Sequence, residues 1–441
     1  MVKKLSVAAA VAVASMSVAS ATPLTEAIKN ADLNGMLRLR FHNYTRVIDQ
    51  QSNKTNYNEW EVAAKLVFKF KADENLDFVW RFSSNEVDYS TAIINDPNHT
   101  SSGDAALKTN LLFFNYHKNG LAVLGGKIPV ATPITSAEPI RTAHGAGVLA
   151  QYKVMDGLTV AAGWVDKLIN ANQVPTITYD ADGDFNASNN TDTLMGNSLV
   201  DTDIFVAAAN YQNDLVNASL WYFNLPDVVD YDWIAQVSGK YKLDNGVTLC
   251  GGVDYAQSKL SKHVYAVPQT SGGKVVGDAL MILTTTTGAP TGTANDWHIK
   301  NYVHVYAGAK LDKGSVKIGY AHTNNKAGII SLDDESPLND IFGLEQIRGI
   351  VNDTNANALY TKLAYNVMDN LQAYLNVARI REGGDFYAVE YKVGATYNYN
   401  KKVSFGAYFD NTNYGAKFKN AASTTNPTNT QEFQVEAKYK F

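Results

Sequence analysis

From Gln431 to Phe441 polar and apolar residues alternate without a break. Phe433, Val435, Ala437, Tyr439 and Phe441 take one set of positions, and Glu432, Gln434, Glu436, Lys438 and Lys440 take the other. Successive side chains of a strand point to opposite faces, so this stretch predicts a strand with one apolar, aromatic face and one charged face. The same rhythm runs through Leu33, Gly35, Leu37, Leu39 and Phe41, interleaved with Asn34, Met36, Arg38, Arg40 and His42. It returns in Trp60, Val62, Ala64, Leu66, Phe68 and Phe70, and in Leu76, Phe78, Trp80 and Phe82. Strand length, roughly 9–11 residues, is what a tilted strand needs to cross a bilayer.

Short polar turns punctuate these runs. They are Asp73-Glu74-Asn75, Lys118-Asn119-Gly120, Asp156-Gly157, Asn213-Asp214, Asp244-Asn245-Gly246, Asp312-Lys313-Gly314, Met368-Asp369-Asn370 and Asn398 to Lys402. Each is rich in the Asn, Asp and Gly that tight turns favour. Each joins two strands, and with the first and last strands the pattern predicts about eighteen. Between the short turns fall longer segments: Asn85 to Ala106, Ile128 to Ala146, Leu168 to Thr202, Gln257 to Lys300, Asn324 to Asn355 and Asp410 to Thr430. Short turns on one rim and long loops on the other predict an all-β transmembrane antiparallel barrel, with periplasmic turns and extracellular loops. The run Leu111 to Phe114 is apolar at every position, which makes the fourth strand the least regular.

Composition supports that solvent assignment. Mean hydropathy is −0.21 and charged residues make up 18% of the chain, which is too polar for a helical membrane protein of 441 residues. A barrel tolerates this, because only alternate strand residues meet lipid. Lys3 and Lys4, an apolar run from Leu5 to about Val18, and Ala19-Ser20-Ala21 match a secretory signal peptide over residues 1–21, cleaved before Thr22. Its loss takes the 38 basic residues to 36 against 43 acidic ones, and the formal charge from −5 to −7. That balance carries no nucleic-acid footprint. Cys250 is alone, so no intrachain disulfide forms.

The segments Thr22-Pro23-Leu24-Thr25-Glu26-Ala27-Ile28-Lys29 and Asp32-Leu33-Asn34-Gly35-Met36-Leu37-Arg38-Leu39-Arg40-Phe41 resemble the opening of the Campylobacter-type major outer membrane protein porins. The resemblance continues through Gly125-Gly126-Lys127, Gly145-Ala146-Gly147-Val148 and Asp156-Gly157-Leu158-Thr159-Val160-Ala161-Ala162. It ends on the aromatic carboxy-terminus, which resembles the signal that outer-membrane barrels present to their assembly machinery, here through Phe441. The resemblance implies one barrel domain over residues 22–441, a homotrimer in outer-membrane lipid and lipopolysaccharide, and a third loop folded into the lumen.

Candidate chemistry is that of a pore wall. The segment 129–146 is stiffened by Pro129, Pro133 and Pro139 and carries Glu138, Arg141 and His144 after Lys127, which makes it the candidate constriction loop. Arg38, Arg40, Lys65 and Arg81 on the first three strands are the basic candidates facing it. Phe433, Val435, Tyr439 and Phe441 are assigned to the lipid face. Asp180, Asp182 and Asp184 stand two apart, as hard-cation ligands do, and make calcium the one candidate metal. The run departs from an EF-hand, with Gly183 at the fourth position and Thr191 at the twelfth, so a solvated acidic loop is the plainer reading.

Gly145-Ala146-Gly147-Val148-Leu149-Ala150 fits a dinucleotide fingerprint in letters only, because it opens an alternating strand instead of a helix. The eight histidines show no zinc-protease spacing, and no serine sits in a nucleophile elbow. The sequence therefore predicts a passive channel for small hydrophilic solutes and ions, with neither a chemical step nor an obligatory cofactor. A sugar-selective channel built on Tyr306, Tyr360, Tyr374 and Tyr408, or an adhesin using the barrel as a platform, are the alternatives.

Overall fold

The computed structural model describes residues 31–48, 53–84, 107–136, 142–169, 203–226, 229–260, 264–271, 274–282, 299–324, 329, 331–332, 335–351, 353, 355–381, 387–415 and 429–441. The leader and signal segment, Glu138, Arg141 and the Asp180 to Asp184 run lie outside the described residues.

The chain enters the sheet with β1 (Asp32–Ile48), β2 (Asn53–Lys71), β3 (Leu76–Ser84), β4 (Leu107–Lys118), β5 (Leu121–Pro129) and β6 (His144–Met155). It continues with β7 (Leu158–Ile169), β8 (Ile204–Gln212), β9 (Val216–Leu225), β10 (Val229–Lys242) and β11 (Thr248–Leu260). A hairpin of β12 (Val264–Ser271) and β13 (Lys274–Ile282) pairs only with itself. The sheet resumes with β14 (Ile299–Lys310), β15 (Gly314–Thr323), β16 (Asn357–Met368), β17 (Leu371–Arg381), β18 (Tyr387–Asn398), β19 (Val403–Tyr414) and β20 (Asn429–Lys440).

Leaving aside the hairpin, every strand pairs antiparallel with its sequence neighbour, and β1 pairs with β20, so eighteen strands close a barrel. Closure leaves no sheet edge, which is what a backbone in hydrocarbon requires. The count is the one that the turns predict; the extra hairpin extends a long connection and does not alter the wall. At the turn between β4 and β5, Asn119 and Gly120 both have positive φ (49° and 82°), the conformation that a two-residue Asn-Gly hairpin demands.

The seam between β1 and β20 is locked at its end. The Gly35 amide donates to the Phe441 carbonyl at 3.0 Å, and the Phe441 amide returns the bond to Gly35 at 3.1 Å. The Phe441 ring occupies the space beside Gly35, where a Cβ would meet it at 2.5 Å. That close approach is why glycine stands there.

Facing follows alternation. Leu33, Leu37, Leu39, Trp60, Phe78, Trp80, Phe433, Val435 and Tyr439 are exposed on the outer face, while Arg38, His42, Glu61, Asp77, Arg81, Glu432 and Gln434 point inward and are buried. On β4 a bulge opposite Arg81 and Phe82 resets the register, which leaves Leu112 50% exposed on the outer face and Leu111 buried on the inner one. Phe113, next on the inner face of β4, packs against the residues that fill the barrel.

Candidate pore and constriction

Among the described residues, two connections turn back into the barrel. From the first, between β5 and β6, Val130, Thr132, Ile134, Thr135, Ser136 and Ala143 are buried. From the second, between β15 and β16, Ile329, Leu332, Leu338, Ile341, Phe342, Leu344, Ile350 and Val351 are buried. Together with inward Phe223, Ile234, Tyr302 and Tyr360 they form one hydrophobic core inside the barrel. A lumen full of water would leave these side chains wet, so the loops remove them from water by packing on each other and on the wall.

Backbone bonds join the two loops. The Leu332 amide donates to the Ile134 carbonyl (2.9 Å) and the Leu338 amide to the Pro133 carbonyl (3.1 Å). The wall then fixes the second loop. Asn376 Nδ2 donates to the Gly343 carbonyl at 2.8 Å. The Glu390 carboxylate of β18 accepts the backbone N–H groups of Glu345 and Gln346, each at 2.9 Å, and of Ile347 at 2.7 Å. Lys392, two residues on along the same face, forms an ion pair with Glu345.

The neighbouring sector of the wall, built by β19, β20, β1 and β2, is ionic. Arg38 Nη2 is 2.7 Å from Glu61, while Arg40 Nε is 2.7 Å from Glu436 and its Nη1 is 3.6 Å from Glu61. The His42 ring lies between Glu432 (2.9 Å) and Glu61 (3.4 Å), and the Tyr408 hydroxyl donates to Glu432 at 2.6 Å. Glu345 reaches toward this sector and lies within electrostatic range of Arg40. Burial opposes its charge, but Lys392 beside it, with Arg348 and Arg40, holds the Glu345 carboxyl below the usual range. Asp340, on the same loop, is pushed the other way by burial.

Arg38 and Arg40 thus share the ionic sector with Glu61, Glu432 and Glu436, and Glu345 is the inward-loop acid that the described residues bring within range of Arg40; Glu138 lies outside the described residues. Of the basic candidates, Arg38 and Arg40 lie in the ionic sector, and Lys65 stands inward, opposite Met36 and Ser83. Three candidates depart from the expectation. Arg81 is 6% exposed; its guanidinium donates to Asn110 (2.7 Å) and Thr142 (3.2 Å), tying the root of the first loop to the wall. His144 is fully buried, with Nδ1 3.0 Å from the Thr142 carbonyl, so packing removes it from the pore. Lys127 is in register with the outward Leu112, and its ammonium donates to the Thr109 carbonyl at 2.8 Å. One residue of register decides the face, and it puts Lys127 outside.

Glu345, Glu390 and Lys392 escape a reading of motifs. The available signal is the apolar content of 329–351, with Ile329, Leu332, Leu338, Ile341, Phe342, Leu344, Ile347, Ile350 and Val351 in a segment that should otherwise be a wet external loop.

A closed barrel with an apolar outer face, an ionic inner face and chain folded into its lumen defines an outer-membrane porin. The family model for the Campylobacter major outer membrane protein matches residues 1–439, and the chain belongs to that family. It is a multi-pass β-barrel of the outer membrane. Among solved structures it is similar to OccK9 (OpdG) of Pseudomonas aeruginosa, with TM-score 0.64 and 14% identity over 94% of this chain and 99% of that one. OpdL of the same organism gives TM-score 0.64 and 11% identity over 94% and 99%. OpdK with vanillate gives 0.61 and 12% over 93% and 98%. At these identities the likeness is one of fold. Comparison with curated proteins finds no match.

Proposed function

We propose that this porin is a passive diffusion channel for small hydrophilic solutes and ions, that it runs no chemical step, and that the inward loops narrow the lumen against the Arg38 and Arg40 wall. What supports this reading is the nearness of Glu345 to Arg40, a juxtaposition that sets a transverse field where the loops narrow the lumen. Charges in such a place are screened less than charges at the mouths, where the Debye length is about 8–10 Å at physiological salt. On this reading residues 1–21 are removed as a signal peptide, Phe441 is presented to the assembly machinery, and the mature barrel works as a homotrimer.

Planar-bilayer recording tests it. The purified protein should give discrete conductance steps, and Arg40→Gln should shift the reversal potential in a salt gradient toward cations without changing the fold. An unchanged reversal potential would remove Arg40 from the selective region. Absence of conductance in any preparation of folded protein would favour the adhesin alternative. The inward tyrosines give the sugar-selective alternative little support: Tyr360 packs in the core beside Phe342, and Tyr408 is spent on Glu432, so neither stands as a free stacking surface.

A further inference from the structure

On the far side of the inward loop from the Arg40 sector lies a polar recess of about 420 Å³. Its wall is built by β8 to β11 and β14 to β16, and Pro337, Asp340 and Ile341 of the inward loop cover one side. That volume falls in the usual range of sites for small molecules.

The recess has an uneven charge pattern. Lys317 and Lys362 are direct cross-strand partners on β15 and β16, a like-charge pairing that costs stability unless an anion lies between them. Among the described residues neither ammonium forms an ion pair; Lys317 Nζ lies instead over the Tyr306 ring, 3.7 Å from its centroid. The nearer wall acid, Asp254, is already engaged, accepting from Gln236 Nε2 at 3.0 Å and standing 2.7 Å from His304 Nδ1. Asp340 is different. It comes from the loop, faces the recess, lies within electrostatic range of Arg348, Lys362 and Lys392, and forms no direct ion pair among the described residues.

We propose that this recess is a solute subsite selective for small zwitterions of α-amino-acid size, with Lys317 and Lys362 receiving the carboxylate and Asp340 the ammonium. A carboxylate between the two lysines relieves their repulsion, and an ammonium at Asp340 gives the loop acid the direct contact partner that it lacks among the described residues. A solute carrying both groups satisfies both ends at once, whereas a simple carboxylate or a simple amine satisfies one. The inward loop thus contributes a recognition group as well as a constriction.

The inference rests on the porin reading, so the test keeps the two apart. In proteoliposomes carrying the intact protein, fluxes of L-alanine, propionate, propylamine and the neutral solute glycerol are compared at equal concentration. L-alanine flux should exceed that of propionate and propylamine and should saturate. Lys362→Gln should slow L-alanine and propionate, and Asp340→Asn should slow L-alanine and propylamine but not propionate. Each change should be roughly threefold, the scale of one water-exposed charge contact. Glycerol flux should stay unchanged in both variants and shows that the barrel is folded and open. Equal slowing of all four solutes, or no change in any, would overturn the subsite and leave the porin reading standing. Loss of glycerol flux and ionic conductance in the unmodified protein would instead remove the porin reading.

Discussion

Replacing Glu390 by glutamine should loosen the inward loop without unfolding the barrel. The Glu390 side chain is fully buried, and its two oxygens accept three backbone N–H groups from Glu345, Gln346 and Ile347. Hydrogen bonds to a charged acceptor contribute about 1.5–3 kcal/mol each, and a buried donor left without a partner costs about 1–3 kcal/mol. Glutamine keeps one acceptor oxygen and puts an NH₂ group where the other stood. At least one loop N–H then meets a donor, and the remaining bonds lose their charge. The net weakening of loop docking is on the order of 1–3 kcal/mol, which multiplies the undocked population by roughly 5- to 150-fold. The assay is single-channel recording, where Glu390→Gln should add a larger-conductance sublevel and open-channel noise, with limited proteolysis of 324–356 as the structural readout. Glu390→Ala, which removes both acceptor oxygens and so all three bonds, should do more. Identical current traces and identical protease resistance in both variants, with the heat-modifiable barrel intact, would refute the assignment of Glu390 as the loop's anchor.

Val435→Arg should depress the yield of folded, heat-modifiable barrel far more than Gln434→Arg, since Val435 is 41% exposed on the outer face and a lipid-facing arginine costs about 2–4 kcal/mol at mid-depth. Equal yields would reverse the facing of β20. Gly35→Ala forces a methyl to within 2.5 Å of the Phe441 ring and of the Lys65 carbonyl, so the seam should melt at a lower temperature, by about 1–3 kcal/mol of overpacking, as followed by gel mobility on heating. Acidification should release the inward loop late. Because the Glu345 carboxyl is held below its ordinary range, its contribution is full above the unfolded value and disappears only as pH falls through the lowered folded one. Channel noise should therefore rise at acid pH, and Glu345→Gln should be noisy at every pH. Asp340, which burial raises, titrates higher, and Asp340→Asn separates the two effects.

Alternation along each strand, read from residue types alone, was enough to place Arg38 and Arg40 inward, Trp60, Phe78 and Val435 outward, and Phe441 at the end of the last strand, because strand facing is a local property with a period of two. The turns set the count of eighteen for the same reason: each is a short, self-contained chemical signal. What lies inside the barrel is not local. The loop between β15 and β16 folds inward because Glu390, Asn376 and Tyr302, on three different strands, meet its backbone, and because Ile134 and Pro133 of another loop complete its hydrogen bonds. None of those partners is near it in sequence. Lys127 marks the same boundary at the scale of one residue. Its outward face follows from alternation with buried Ile128, but its bond to the Thr109 carbonyl exists only once β4 and β5 pair. Sequence determined which residues alternate; tertiary pairing and loop packing decided which charges face water together.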